Sequence, residues 1–198
     1  MTLDKNDLLN SILESLDRIK NVKSDEFPNI ELYMDQVTSL MEKKLRHAAR
    51  NSDDKILTKT MINNYAKNDL LPPPEKKKYT KEHLVVLIFI FYSKGLLSMT
   101  DIQTMLNPLT DRYFGNEDGI NMCNIYDEVF DMEEDRIAQL KKDIEQIYKD
   151  SKETFLDCEG EDKDILQLFS FIFALGFDVY AKTLIIEKVL DEMANDTV

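Results

Sequence analysis

The run LVVLIFIFY, residues 84–92, constrains the fold more than any other stretch of this chain. Nine apolar residues in succession leave a helix no polar side to show to water, so it must be covered on more than one side. Thr80 is placed to cap its start and Gly95 to stop its end. The rest of the chain has to supply the cover. Five Gly and five Pro in 198 residues are too few for the turns of a sandwich or barrel, and 43% hydrophobic residues suffice for a core. The expectation is an all-α protein.

On the N-terminal side, Leu8, Leu9, Ile12, Leu13, Leu16 and Ile19 form one stripe of a helix over about 4–20, behind an Asp4 N-cap. Residues 24–28 (SDEFP) read as a linker. A second helix over about 30–46 turns Leu32, Tyr33, Val37, Leu40, Met41 and Leu45 inward. Lys43, Lys44 and Arg46 sit at its negative end, where cations are favourable. Residues 47–56 are polar and read as a long turn. Thr58 then caps a helix over about 58–70, with Met61, Ile62, Tyr65 and Ala66 toward the core and Lys59, Thr60, Asn63, Asn64 and Lys67 outward.

Leu70-Leu71 and three prolines, Pro72 to Pro74, stop that helix, because proline bars the residue before it from helical geometry. Residues 75–80 (EKKKYT) read as a tight hairpin carrying Lys76, Lys77 and Lys78, with Tyr79 either anchoring it to the core or stacking outward. Past the apolar helix, Ser98 and Asp101 make a capping pattern for a helix over 99–106, and Pro108 closes the unit. The loop-like stretch 107–119 separates an N-terminal domain, 1–106, from a C-terminal helical domain, 107–198.

In the C-terminal part, Cys123, Phe130, Ile137 and Ile144 recur at seven residues, as do Tyr126, Glu133, Leu140 and Ile147. Such a seam serves a coiled-coil homodimer or packing inside a bundle. Residues 157–162 (DCEGED) form an acidic loop. The apolar stretch 163–193 is one long helix or two broken near Gly176.

A net charge of −13 argues by itself against nucleic acid. The distribution argues otherwise. Residues 43–83 hold eleven Lys and Arg against five acids, a local +6, which leaves −19 for the remainder. Such an island marks one anion-binding face or simply a solvated charged surface.

The order of features from 57 to 106 resembles the winged helix-turn-helix of MerR-type transcription regulators. Asn63-Asn64-Tyr65 stands where that family has Arg-aromatic-Tyr, Leu70-Leu71-Pro72 keeps its turn, and Lys77-Lys78-Tyr79-Thr80 keeps the end of its wing. Asn63 replaces the expected arginine and Asp69 the expected glycine. The segment, with the residues just before it, also resembles a bacterial family known as domain of unknown function 1836. The MerR resemblance implies a recognition helix over about 58–70 and a wing over about 75–80. Double-stranded DNA would then be met by Lys59, Thr60, Asn63, Asn64, Lys67, Lys76, Lys77, Lys78 and Tyr79. Asn pairs with adenine edges, and Lys and Thr hold phosphates. The C-terminal domain would dimerise the chain or sense a small-molecule effector. The rival expectation is a protein-interaction module whose basic face binds an acidic partner, without nucleic acid.

No phosphate-binding glycine loop, Gly-x-Ser-x-Gly elbow or His-Glu-x-x-His pair occurs, and neither Gly119 nor Gly160 completes a calcium loop. The expectation is therefore no enzyme, no cofactor and no metal. His47, His83, Cys123 and Cys158 match no zinc spacing; the histidines read as surface helix residues and the cysteines as free, small apolar fillers. The uninterrupted apolar runs are shorter than the roughly 20 residues that cross a bilayer, and no secretory leader is read at the start. Both point to a cytoplasmic protein.

Overall fold

The computed structural model describes residues 5–17, 22–51 and 53–196. Among the described residues there are seven α-helices: α1 Lys5–Leu16, α2 Met34–Leu45, α3 Lys59–Lys67, α4 Lys81–Ser93, α5 Met99–Tyr113, α6 Met122–Lys152 and α7 Gly160–Asp196. Two short strands, β1 Leu32–Tyr33 and β2 Lys78–Tyr79, pair antiparallel with Leu32 opposite Tyr79 and Tyr33 opposite Lys78. The fold is all-α apart from this ribbon. The chain divides into two compact units, residues 21–131 with 187–198, and residues 1–20 with 132–186.

In the larger unit α4 is the buried centre that its composition demands. His83, Leu84, Val85, Val86, Leu87, Ile88 and Ile90 are all buried. Each fully buried aliphatic side chain contributes about 1.5–3 kcal/mol. The cover comes from Val37, Met41 and Leu45 of α2, Ile62 and Tyr65 of α3, Ile102 and Leu106 of α5, and Met122 and Tyr126 of α6. Glu82 fastens α4 to the start of α6, its two carboxylate oxygens accepting the N–H groups of Gly115 (2.7 Å) and Met122 (3.0 Å). The Met122 N–H, the first of α6, has no partner within its own helix.

Thr58 accepts the Met61 N–H at 3.1 Å, and Ser98 and Asp101 cap α5 reciprocally, as the sequence spacing predicts. Several other expectations are corrected. Leu32 and Tyr33 do not begin α2 but form the strand, which leaves Tyr33 exposed. Residues 24–26 make a 3-10 turn instead of a linker: Ser24 and Phe27 are buried, and the Ser24 N–H donates to Asp127 at 2.9 Å. α5 continues through Pro108 to Tyr113. The proline lacks one helical donor, but Ile102, Leu106 and Thr110 are buried on either side of it, and packing outweighs the lost bond. α4 ends at Ser93, yet Gly95 is not left-handed; Lys94 closes the last turn onto Ile90 at 2.9 Å. His83 is no surface residue, because Tyr79 and Phe114 enclose its ring.

The partition also differs from a boundary at 106/107. α5 passes that point unbroken, and Met122 and Tyr126 are core residues of the N-terminal part. Residues 5–16 belong instead with the C-terminal helices.

In the smaller unit, Ile144 and Tyr148 of α6 and Phe171 of α7 form the core, joined by Leu9, Ile12, Leu13 and Leu16 of α1. Gln167 pins α7 to the end of α6 by donating to the carbonyls of Lys152 (2.8 Å) and Thr154 (3.0 Å). Six of the heptad positions of α6 are therefore used inside the chain: Cys123, Tyr126 and Phe130 in the larger core, Leu140, Ile144 and Ile147 in the smaller one. Asp4, Ile19 and the Glu133 side chain lie outside the described residues. α7 runs unbroken through Gly176. Among the described residues it is the one helix long and apolar enough, by length and composition, to cross a membrane. Asp178 and Lys182 interrupt its apolar run, which is why counting uninterrupted residues passes over it.

Candidate nucleic-acid interface

The outer face of α3 follows from its period. Residues 59, 60, 63, 64 and 67 fall on one side of a 3.6-residue helix, opposite Ile62 and Tyr65. Lys59, Thr60, Asn63, Asn64 and Lys67 are all exposed, while Ile62 and Tyr65 are buried. The helix is closed by a left-handed residue at Asp69 (φ 52°), so that the Leu70 N–H reaches back to the Tyr65 carbonyl at 2.9 Å. This is the pattern in which glycine is the usual terminator, and aspartate is one of the few other residues that tolerate it. The asparagine amides of 63 and 64 make no hydrogen bond among the described residues. By contrast Asn68 is tied down, donating to the Asn64 carbonyl (2.7 Å) and accepting from Gln103 on its own carbonyl (2.5 Å).

The predicted hairpin exists as a four-residue turn from Glu75 to Lys78, closed by the Lys78 N–H on the Glu75 carbonyl at 2.8 Å. Its central residues Lys76 and Lys77 both have positive φ, 47° and 65°. That is the requirement of a type I′ turn, normally met by Asn and Gly. Both lysines are exposed and carry no ion pair among the described residues. Lys78 points elsewhere. Its ammonium bonds Glu31 at 3.0 Å, which raises its pKa. Tyr79 is buried, edge-on to His83 with ring centroids 5.4 Å apart, so of its two expected roles it takes that of anchor. Its ring offers no stacking surface to a nucleic acid.

Electrostatically the basic island is partly self-compensated. Lys59 pairs with Asp35 at the start of α2, Lys44 with Glu26, and Arg46 with Glu42. The Lys44 bond holds the Glu26 carboxyl below the usual carboxylate range. Residues 21–131 carry fourteen Lys and Arg against seventeen acids, a net −3, so the other residues hold −10 of the total. Lys55 was not singled out by the sequence. It lies with Thr38, Ser39, Glu42 and Lys59 along a shallow groove of about 420 Å³ beside the start of α3. Its place depends on the fold of the 46–58 loop, which has no periodic signal.

Among the described residues no group of three or more His, Cys, Asp or Glu is placed to hold a metal. Burial pushes the Cys123 thiol up to about 11, consistent with an inert apolar filler.

No curated protein and no solved structure matches this chain. The family model described as Domain of unknown function (DUF1836) matches residues 22–129, nearly coincident with the 21–131 segment of the larger unit and more than half of the 198 residues. The chain belongs to that family.

Proposed function

We propose that the family segment is a winged helix-turn-helix that binds double-stranded DNA, and that the protein is a cytoplasmic regulator of transcription without catalytic activity. In this reading α2 and α3 are the helix pair, α3 is the recognition helix, the 75–78 turn is the wing, and β1 ties the wing to the chain before α2. The observation that carries it is the pair Lys76 and Lys77, held at positive φ on an exposed turn. A lysine in that conformation costs about 1 kcal/mol that Asn-Gly would avoid, and strain of this kind persists where a side chain is needed for function. The free amides of Asn63 and Asn64 beside Lys67 supply groups that read adenine and hold phosphate. Lys59 sits in an exposed ion pair worth little, so a phosphate can replace Asp35.

Sequencing the DNA that co-purifies with the full-length protein from its own cells would identify a preferred duplex. On that duplex Asn64→Ala should lose about 1–3 kcal/mol of affinity, lose little on random DNA, and melt like the parent. An unchanged affinity for the best duplex would remove α3 as a reading helix. A second reading is favoured by the ion pairs themselves, since Lys59, Lys44 and Lys78 already bind carboxylates of the same unit. The basic face would then dock an acidic protein. Competition between duplex DNA and poly-glutamate for the protein separates the two.

A further inference from the structure

One stripe of α7 is bare and apolar. Ile165, Ile172, Val179 and Ile186 recur at seven residues, and the first three are 59, 59 and 52% exposed. Phe169 and Phe173 flank them at 60 and 62%. A neighbouring stripe, Leu168, Phe171 and Leu175, is the one that packs into the smaller unit's core. α7 thus carries two adjacent apolar stripes, of which the chain itself covers one.

From this we infer that α7 is the homodimer interface of the protein, the outer stripe of one copy packing on the same stripe of a second. The inference goes beyond the DNA reading and does not depend on it, since every residue it uses lies in the smaller unit.

Three observations select a second copy as the occupant. The first is area. Side chains of this size, all but Ile186 more than half exposed, leave roughly 100 Å² each to be covered, and with their neighbours on the same face they approach about 1,000 Å². The largest patch on a typical monomer is about 300–600 Å², and a standard interface covers about 800 Å² on each partner. The second is the seven-residue repeat, the spacing at which a helix seam meets an identical seam along its length. The third is Gly176, which falls within this face with nothing within 4 Å of where a Cβ would stand, so a neighbouring backbone can approach closely. A lipid bilayer is the weaker occupant. Asp178 and Lys182, paired at 2.8 Å, fall inside the would-be span. Inserting α7 would also strip Phe171 from the charged helix α6.

The test is sedimentation equilibrium of the full-length chain from about 1 to 100 µM. The expected mass is twice 23.1 kDa. Ile172→Glu with Val179→Glu should shift the dimer constant at least a hundredfold toward monomer while leaving helicity by circular dichroism unchanged, because both side chains are already in water in the single copy. If that variant fails to fold, Ile172→Ser with Val179→Ser should still weaken the dimer at least tenfold, and Ile172→Leu should keep it. A parent that is monomeric at 100 µM overturns the inference, whether or not it floats with phosphatidylcholine–phosphatidylglycerol vesicles; flotation would identify lipid as the occupant. A dimer indifferent to the glutamate and serine variants overturns it too, since the interface would lie elsewhere.

Discussion

His83 occupies the third position of α4, where a capping box usually carries Glu or Gln. Its Nδ1 accepts the Thr80 N–H at 3.0 Å, which requires the neutral ring with the proton on Nε2. Tyr79 and Phe114 close over it edge-on, at 5.4 and 4.7 Å between ring centroids. Burial holds its pKa down at about 4, partly offset by the backbone carbonyls of Pro72 and Pro73. The unfolded chain takes up this proton near pH 6.5, before the folded chain does. The stabilisation is therefore complete above pH 6.5 and is lost as the pH falls toward 4. At pH 4.5 the loss is on the order of 2–3 kcal/mol. Urea midpoints at pH 7 and 4.5 check this. His83→Gln, which can keep the cap, should show an acid loss smaller than the parent's by that amount, and equal losses would mean that His83 is protonated without penalty. The caps Thr58 and Ser98 were legible in the sequence because their partners lie three residues away. The burial of His83 was not, because its cover comes from Phe114 at the far end of α5, 31 residues on.

At the scale of elements, periodicity located the helices and failed where a strand interrupts. The stripe Ile62–Tyr65 opposite Asn63–Asn64 could be read directly. Leu32 and Tyr33 also matched the helical stripe of α2, and only their pairing with Tyr79 and Lys78, some 45 residues away, draws them into the ribbon. Pro108 misled for a similar reason, since burial of Thr110 beyond it depends on the assembled core. The wing separates folding from function most cleanly. Replacing Lys76 with Asn and Lys77 with Gly relieves two left-handed lysines and should stabilise the larger unit by about 1 kcal/mol, visible as a higher melting temperature. If the two ammonium groups meet phosphates, the same variant should bind every duplex more weakly, with its salt dependence reduced by about two ions. Higher stability with undiminished DNA affinity would show that the turn faces away from nucleic acid.

For the whole molecule, the decisive question is where the chain can be cut. The sequence placed a boundary at the loop-like stretch 107–119, but its glycines and acids mark only a surface turn between two helices of one core. Beyond that turn, Tyr126 is buried and donates its hydroxyl to the Val22 carbonyl at 2.6 Å. Asp127 accepts from Ser24, and Lys23 pairs with Asp131 at 3.1 Å. These bonds join the two ends of the family segment, 22–129, to each other. A fragment of residues 21–107 would lose Met122 and Tyr126 from the core, each worth about 2–5 kcal/mol, and would leave buried polar groups near Val22 and Ser24 unpaired at about 1–3 kcal/mol apiece. That is comparable with the whole of the about 5–15 kcal/mol by which a domain is normally stable. A fragment of 21–131 keeps all of these contacts and sheds most of the acidic charge, −10 of the total −13. The expected outcome is that 21–131 unfolds in one cooperative thermal transition while 21–107 shows no transition and exchanges its α4 amides rapidly. Cooperative melting of 21–107 would place the boundary back at the 107–119 loop and make the α6 contacts incidental to the fold.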